Sequence, residues 1–295
     1  MSWRYIKALP AVALVLAASA AQTPKLDTAS IERLTGVKGK LDEAGNVFKV
    51  SAPRSDLDVA ASGVRITPAL GLTSWAAFQK AGAQTMVMGD MVVLEDQVSP
   101  VMDIALENRL EVTALHNHFF WDSPKVMFMH IDGLGDETIL AAAVGKVFSR
   151  IKETSTRRRA GTEARIDPAK TTLEPDRIAS ILGVKGDLKD GVFKVVIGRT
   201  TKMHGHEIGS AMGVNTWAAF AGSDDRAVVD GDFAVLGSEL QGVLKTLRAA
   251  GIHVVAIHNH MVGEEPRIVF LHYWGVGSAA SLAKGVRAAL DRTRT

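Results

Sequence analysis

The stretch Leu115-His116-Asn117-His118 decides how this chain is expected to fold, because Ile257-His258-Asn259-His260 repeats it almost residue for residue. From the first histidine of each copy the chain runs twelve positions to a Phe-x-His segment, Phe128–His130 or Phe270–His272. The two copies align without a gap, which predicts a tandem duplication of one fold. Imidazole is the commonest metal ligand and the usual acid–base group near neutral pH, so these segments also predict a functional site.

The repeat extends well beyond the histidines. Thr216–Phe220 repeats Ser74–Phe78, and Val192–Val195 repeats Val47–Val50. Each half shows the predicted order strand, helix, strand, strand, helix. We therefore expect an α+β fold with two tandem copies of an antiparallel-sheet domain, helices packed on one face, and a ferredoxin-like order in each half.

A hairpin is predicted ahead of the first His-Asn-His run. Gly89-Asp90 is typical of tight two-residue turns, so Thr85–Met88 and Met91–Leu94 are expected to pair around it. The same hairpin is predicted within Ala227–Val235, around Gly231-Asp232.

The N-terminus has the pattern of a secretory signal peptide. Arg4 and Lys7 precede an apolar stretch, and Ala18-Ser19-Ala20 is a small-residue cleavage site. An uncleaved anchor is the alternative. The expected division is signal peptide 1–20, first repeat domain 21–151, linker 152–175 and second repeat domain 176–295. We thus expect a periplasmic or secreted protein with no membrane span after signal cleavage.

Charge and cysteine content narrow the partners. The chain has 34 basic and 32 acidic residues, and loss of Arg4 and Lys7 with the signal leaves it close to neutral. A neutral surface argues against nucleic acid, so a small-molecule or cell-envelope ligand is expected. The chain has no cysteine, which limits any metal site to nitrogen and oxygen ligands.

The second half has the better predicted metal site. Side chains alternate along a strand, so His258 and His260 project from one face, about 6.5–7 Å apart. His272 joins that face if Phe270 lies opposite His258, and leaves it if the register shifts by one residue. The proposed ligands of a divalent ion, with zinc as the default metal and copper, iron or manganese left open, are His204, His206, His258, His260 and His272.

Glu207 adds a carboxylate to this set, as a ligand or as the base that takes a proton from a metal-bound water. In the first half, the positions of His204, His206 and Glu207 hold Ser62, Val64 and Arg65. There His116, His118 and His130 have no carboxylate nearby in the predicted fold. We interpret them as cross-strand hydrogen-bonding groups inherited by duplication, with metal binding as the alternative.

A duplicated domain in which a His-Asn-His run precedes a Phe-x-His strand, behind an export signal, resembles the LppY/LpqO family of bacterial exported proteins. The resemblance covers nearly the whole mature chain and implies a duplicated domain of unknown function, without an activity to transfer. Its mycobacterial members are lipoproteins, but a lipid anchor is not implied here because the chain lacks cysteine.

Three interpretations remain open. The first is metal-assisted hydrolysis of an envelope substrate, and the second is a non-catalytic periplasmic protein that binds a ligand or a metal. The third is purely structural, with the histidines as packing and hydrogen-bond groups. An HNH nuclease is disfavoured because the strand–strand–helix metal fold and basic surface are not indicated. A cupin is disfavoured because its glutamate is absent at the expected spacing and the predicted helix over 240–250 interrupts the β-structure.

Overall fold

A computed structural model describes residues 25–155 and 165–293. The predicted signal peptide and residues 156–164 of the predicted linker lie outside the described residues. The helices are α1 (Thr28–Thr35), α2 (Glu95–Glu107), α3 (Glu137–Thr154), α4 (Pro175–Leu182), α5 (Gly237–Ala249) and α6 (Ala279–Leu290). Across the described ranges, none of them is long and apolar enough to span a bilayer.

The strands occur in two series, nine in the described part of the first repeat and eight in that of the second. In the first repeat they are β1 (Gly39–Asp42), β2 (Val47–Pro53), β3 (Val59–Ala61), β4 (Val64–Ile66), β5 (Thr73–Ala81), β6 (Gln84–Leu94), β7 (Glu111–His116), β8 (Asp122–Ser123) and β9 (Val126–Gly135). In the second they are β10 (Gly186–Lys189), β11 (Val192–Gly198), β12 (Thr201–Met203), β13 (His206–Ile208), β14 (Asn215–Gly222), β15 (Ala227–Leu236), β16 (His253–His258) and β17 (Ile268–Gly277).

Twelve of these strands form one antiparallel sheet, in the order β1-β2-β5-β6-β9-β7-β16-β17-β15-β14-β11-β10. Each strand that the first repeat contributes to this sheet has its counterpart from the second repeat at the same distance from the opposite edge of the sheet. The predicted order of strand, helix, strand, strand, helix is found as β6, α2, β7, β9 and α3, and again as β15, α5, β16, β17 and α6. The α+β class with two tandem copies is therefore confirmed.

The two repeats join at the strands that carry the His-Asn-His runs. β7 and β16 meet antiparallel at Leu115 and Ile257, the next-to-last residue of each strand. The Gln241 side chain accepts from the Val112 amide at 3.0 Å and donates to its carbonyl at 2.9 Å. Both histidine runs consequently lie at the centre of the sheet, on either side of this seam.

The two faces of the sheet are packed differently. All six helices contribute buried side chains to one continuous core, which includes Leu115 and Ile257. The opposite face has two small apolar clusters, under the short hairpins β3–β4 and β12–β13. Because side chains alternate along a strand, His116 and His258 point away from the helices and share this second face.

The predicted hairpins around Gly89-Asp90 and Gly231-Asp232 are wrong, since β6 and β15 run straight through both dipeptides. These glycines serve close packing instead of a turn. A Cβ on Gly89 would lie 2.7 Å from the Trp75 carbonyl oxygen, and one on Gly231 would lie 2.2 Å from the Tyr273 ring. The aspartate that follows each glycine is thereby placed in mid-strand, on the face that carries the histidines.

Candidate metal centre

Three neighbouring strands of the second repeat bring the site together. Asp232 on β15 lies directly opposite His272 on β17, and Ala256 on β16 lies opposite His272 from the other side. His258 is paired with Phe270, which is the register that places His272 on the histidine face. Asp232, His258 and His272 therefore converge on one patch of the sheet.

Their potential ligand atoms lie close together. One potential ligand atom each from Asp232, His258 and His272 lies within 4.8 Å of the other two. Within residues 25–155 and 165–293, this is the one such group of three histidine, aspartate or glutamate side chains. Tetrahedral ligands of zinc, at bonds of 2.0–2.1 Å, are about 3.3 Å apart, so modest side-chain rotations would bring these atoms onto one ion.

His260 borders the same group from just beyond the end of β16. Its Nε2 lies 3.1 Å from His258 Nε2 and 3.5 Å from Asp232 Oδ2. The His260 ring stacks on the buried Phe270 ring, with centroids 3.5 Å apart. The loop that follows is held by the buried Glu264, which accepts from the Ile268 amide at 3.1 Å. His260 is thus fixed at the solvent side of the patch.

The electrostatics of the patch favour a cation. Asp232 is 2% exposed, and within the described residues its Oδ1 has no hydrogen-bond partner. Burial raises the pKa of Asp232 to about 6, and nearby His272 opposes this rise. Burial also lowers the pKa of His258 and of His260, and the neighbouring His272 adds to both shifts. The lowered pKa of His258 and of His260 favours the neutral imidazole that a metal requires.

The other sequence-predicted ligands lie on the β12–β13 hairpin. His204 and Gly205 form its two-residue turn, with φ of 52° and 81°. His206 is paired with Met203 and Glu207 with Lys202, and the three predicted site residues of this hairpin are exposed. None of them belongs to the group within 4.8 Å. Metal ligation by His204 and His206, and a catalytic role for Glu207, stay predictions.

The first repeat carries the same residue types at the matching positions, although Asp90, His116 and His130 do not form a group within 4.8 Å. Asp90 on β6 lies opposite His130 on β9, and His116 Nε2 lies 2.9 Å from His130 Nε2. His118 stacks on Phe128 with centroids 3.4 Å apart, as His260 does on Phe270. The sequence-based premise that these histidines lack a nearby carboxylate is therefore wrong. Asp90 was predicted to lie in a hairpin turn, but it lies within β6 and faces the histidines.

The fold and the site define an α+β protein of two repeats with a histidine–aspartate group that could hold a metal ion. The chain belongs to the family described as Domain of Unknown Function (DUF1259), whose model matches residues 29–150 and 176–292. The two matched segments agree with the duplication. Membership of the LppY/LpqO family stays a resemblance.

Comparison with curated proteins gives no match. Among solved structures, the chain is similar to a trimeric bacterial microcompartment shell protein, PduB, with 11% identity over 86% of this chain and 89% of that chain. The TM-score is 0.20, which is too low for us to infer a shared fold or function.

Proposed function

We propose that this protein is exported to the periplasm or secreted, and that its second repeat binds a divalent metal ion through Asp232, His258 and His272. The observation that carries the proposal is the buried Asp232 carboxylate, one oxygen of which has no hydrogen-bond partner among the described residues and lies beside two imidazoles. A buried charge is costly unless it is paired, and a cation bound there would offset that cost. Zinc is the default metal for a set of nitrogen and oxygen ligands.

Metal-assisted hydrolysis of an envelope substrate is the chemistry we propose for this site. Three protein ligands would leave a position for water, and the bound ion would lower the pKa of that water. His260 lies at the solvent side of the group, where its imidazole can hold or move the proton. Glu207 is the second candidate base, predicted from the sequence.

Two clefts beside the seam support a small-molecule or envelope ligand. Their volumes are about 570 and 510 Å³, and His258 lines both. Volumes of this size suit small ligands. Each cleft is lined by one basic and one acidic residue, Lys125 with Glu95 in the first and Arg267 with Glu111 in the second.

The second candidate function is non-catalytic binding of a ligand or metal. It is favoured by the position of His260, whose Nε2 lies 3.1 Å from His258 Nε2 and can complete a closed shell of four ligands. Closed shells are typical of structural sites, and an open position is typical of catalytic ones. The His260→Ala variant separates the two by its zinc affinity. The affinity would stay near the wild-type value in an open site, where His260 only holds or moves a proton, and would fall in a closed site, where His260 is a ligand.

Elemental analysis of the mature protein, purified without an affinity tag, tests metal binding. We expect a divalent transition metal, and we expect the double variant H258A/H260A to lose it from the second repeat while it keeps its circular-dichroism spectrum. The matched variant H204A/H206A measures whether the β12–β13 hairpin contributes ligands, as the sequence predicts. Metal content that is the same in wild type and H258A/H260A would refute the proposed site.

Zinc affinity should fall as pH falls through about 6, near the pKa of Asp232. Metal binding needs Asp232 ionised and the imidazoles neutral, so protons compete with the ion below that pH. Isothermal titration with zinc over a pH series measures the dependence. An affinity that stays constant well below the pKa of Asp232 would contradict this ligand set.

A further inference from the structure

The first repeat holds a set of side chains that matches the second-repeat site position for position. Asp90 lies opposite His130, as Asp232 lies opposite His272. His116 is paired with Phe128, as His258 is with Phe270, so His116 and His130 share one face. Three positions on neighbouring strands and a fourth just beyond the end of β7 or β16 are thus filled by one aspartate and three histidines in both repeats.

Two contacts in the first repeat point to a ligand. His116 Nε2 and His130 Nε2 are 2.9 Å apart, close to the spacing of about 3.3 Å between two nitrogens bound to one zinc ion. Asp90 is 9% exposed, and in the part of the chain that the structure describes its Oδ1 accepts no hydrogen bond. A buried, open carboxylate oxygen therefore accompanies two converging imidazoles.

The surroundings of the two sets have diverged. The turn of the β3–β4 hairpin is Ser62-Gly63, where β12–β13 has His204-Gly205. After the histidine run, Trp121 has φ of 55° and is 82% exposed, where the second repeat has Gly263. The aspartate and the three histidines have stayed identical within one chain while residues around them differ, which indicates that the four act together in each repeat.

We propose that the first repeat binds a second divalent ion, ligated by Asp90, His116 and His130, with His118 in the place of His260. The protein then carries two ions per chain, on one face of the sheet and on either side of the β7–β16 seam. The first-repeat site depends on other residues than the proposed function does, so either proposal can fail alone.

Native mass spectrometry of the full mature chain, loaded with zinc and then desalted, tests this inference. We expect two ions in the wild type, one in D90N/H130A, one in D232N/H272A and none in the quadruple variant. A wild type with a single ion that D90N/H130A retains and D232N/H272A loses would overturn the first-repeat site and leave the proposed function standing. Two ions that D90N/H130A retains would also overturn it.

Cobalt provides a second, spectroscopic readout of the number of ions bound. The wild-type chain titrated with Co²⁺ should gain visible d–d absorption up to two equivalents, because nitrogen and oxygen ligands at low coordination number intensify these bands. Saturation at one equivalent would count against the first-repeat site. The conservative variant H130Q, checked by circular dichroism, separates loss of the ion from loss of the fold.

Discussion

Asp232→Asn is expected to stabilise the metal-free protein above about pH 6 and to abolish the stabilisation that zinc gives to the wild type. The pKa of Asp232 is raised from 3.8 to about 6 in the folded state, so the folded chain holds this proton more tightly than the unfolded chain. Stability from this group is present below the unfolded pKa and is lost as pH rises through about 6. The cost of the ionised form is about 3 kcal/mol, since one pKa unit corresponds to about 1.4 kcal/mol.

Zinc at a thousandfold excess over its dissociation constant is expected to reverse the ranking of the two proteins. A ligand at that excess stabilises the folded state by about 4.1 kcal/mol, and Asp232→Asn removes a ligand from the second-repeat site. Thermal unfolding of both proteins at about pH 8 measures the two effects. The scan with chelator compares the metal-free proteins, and the scan with zinc gives the stabilisation by the ion. The control is Asp58→Asn, at a highly exposed carboxylate. Equal zinc-induced shifts in wild type and in Asp232→Asn would contradict the assignment of Asp232 as a ligand.

Gly231→Ala is expected to lower the free energy of unfolding by about 3 kcal/mol or more, because overpacking a rigid core forces side chains and backbone to move. The added Cβ would lie 2.2 Å from Cζ and the hydroxyl of Tyr273, and 2.5 Å from the Trp217 carbonyl oxygen. Tyr273 cannot easily withdraw, since it is fully buried and donates to that carbonyl at 3.0 Å.

Gly237→Ala is the matched control. A Cβ at Gly237, the first residue of α5, would meet no atom within 4 Å, and alanine is the better helix former. Urea denaturation should place Gly237→Ala at or slightly above the wild type and Gly231→Ala well below it. If both variants unfold at the wild-type urea concentration, Gly231 is not required for close packing.

Much of the fold could be predicted because the duplication doubles every local signal. Gly36, for example, ends α1 with φ of 70°, a left-handed conformation that favours glycine at this position. The pairing of His258 with Phe270 is one of the two registers that the sequence allows. The hydrophobic pattern requires this register, because Ile257 and Leu271 then face the helix core together. Alternation along paired strands then placed His272 correctly.

The aspartates were missed for a local reason. A Gly-Asp dipeptide has the same composition in a tight turn as in a strand where glycine permits close packing, and only the Trp75 and Tyr273 neighbours distinguish the two. The spacing carried a usable signal, because Gly89-Asp90 and Gly231-Asp232 stand at the same distance before their His-Asn-His runs. The position of the β12–β13 hairpin depends on tertiary packing, so no short-range pattern determines where His204 lies.

Anomalous X-ray diffraction at the zinc edge, from crystals of the zinc-loaded protein, tests the central claim most directly. The proposed function predicts an anomalous peak bonded to Asp232, His258 and His272, at about 2.0–2.2 Å from each ligand atom. A peak at His204 and His206 alone, or no peak beside Asp232, would contradict it.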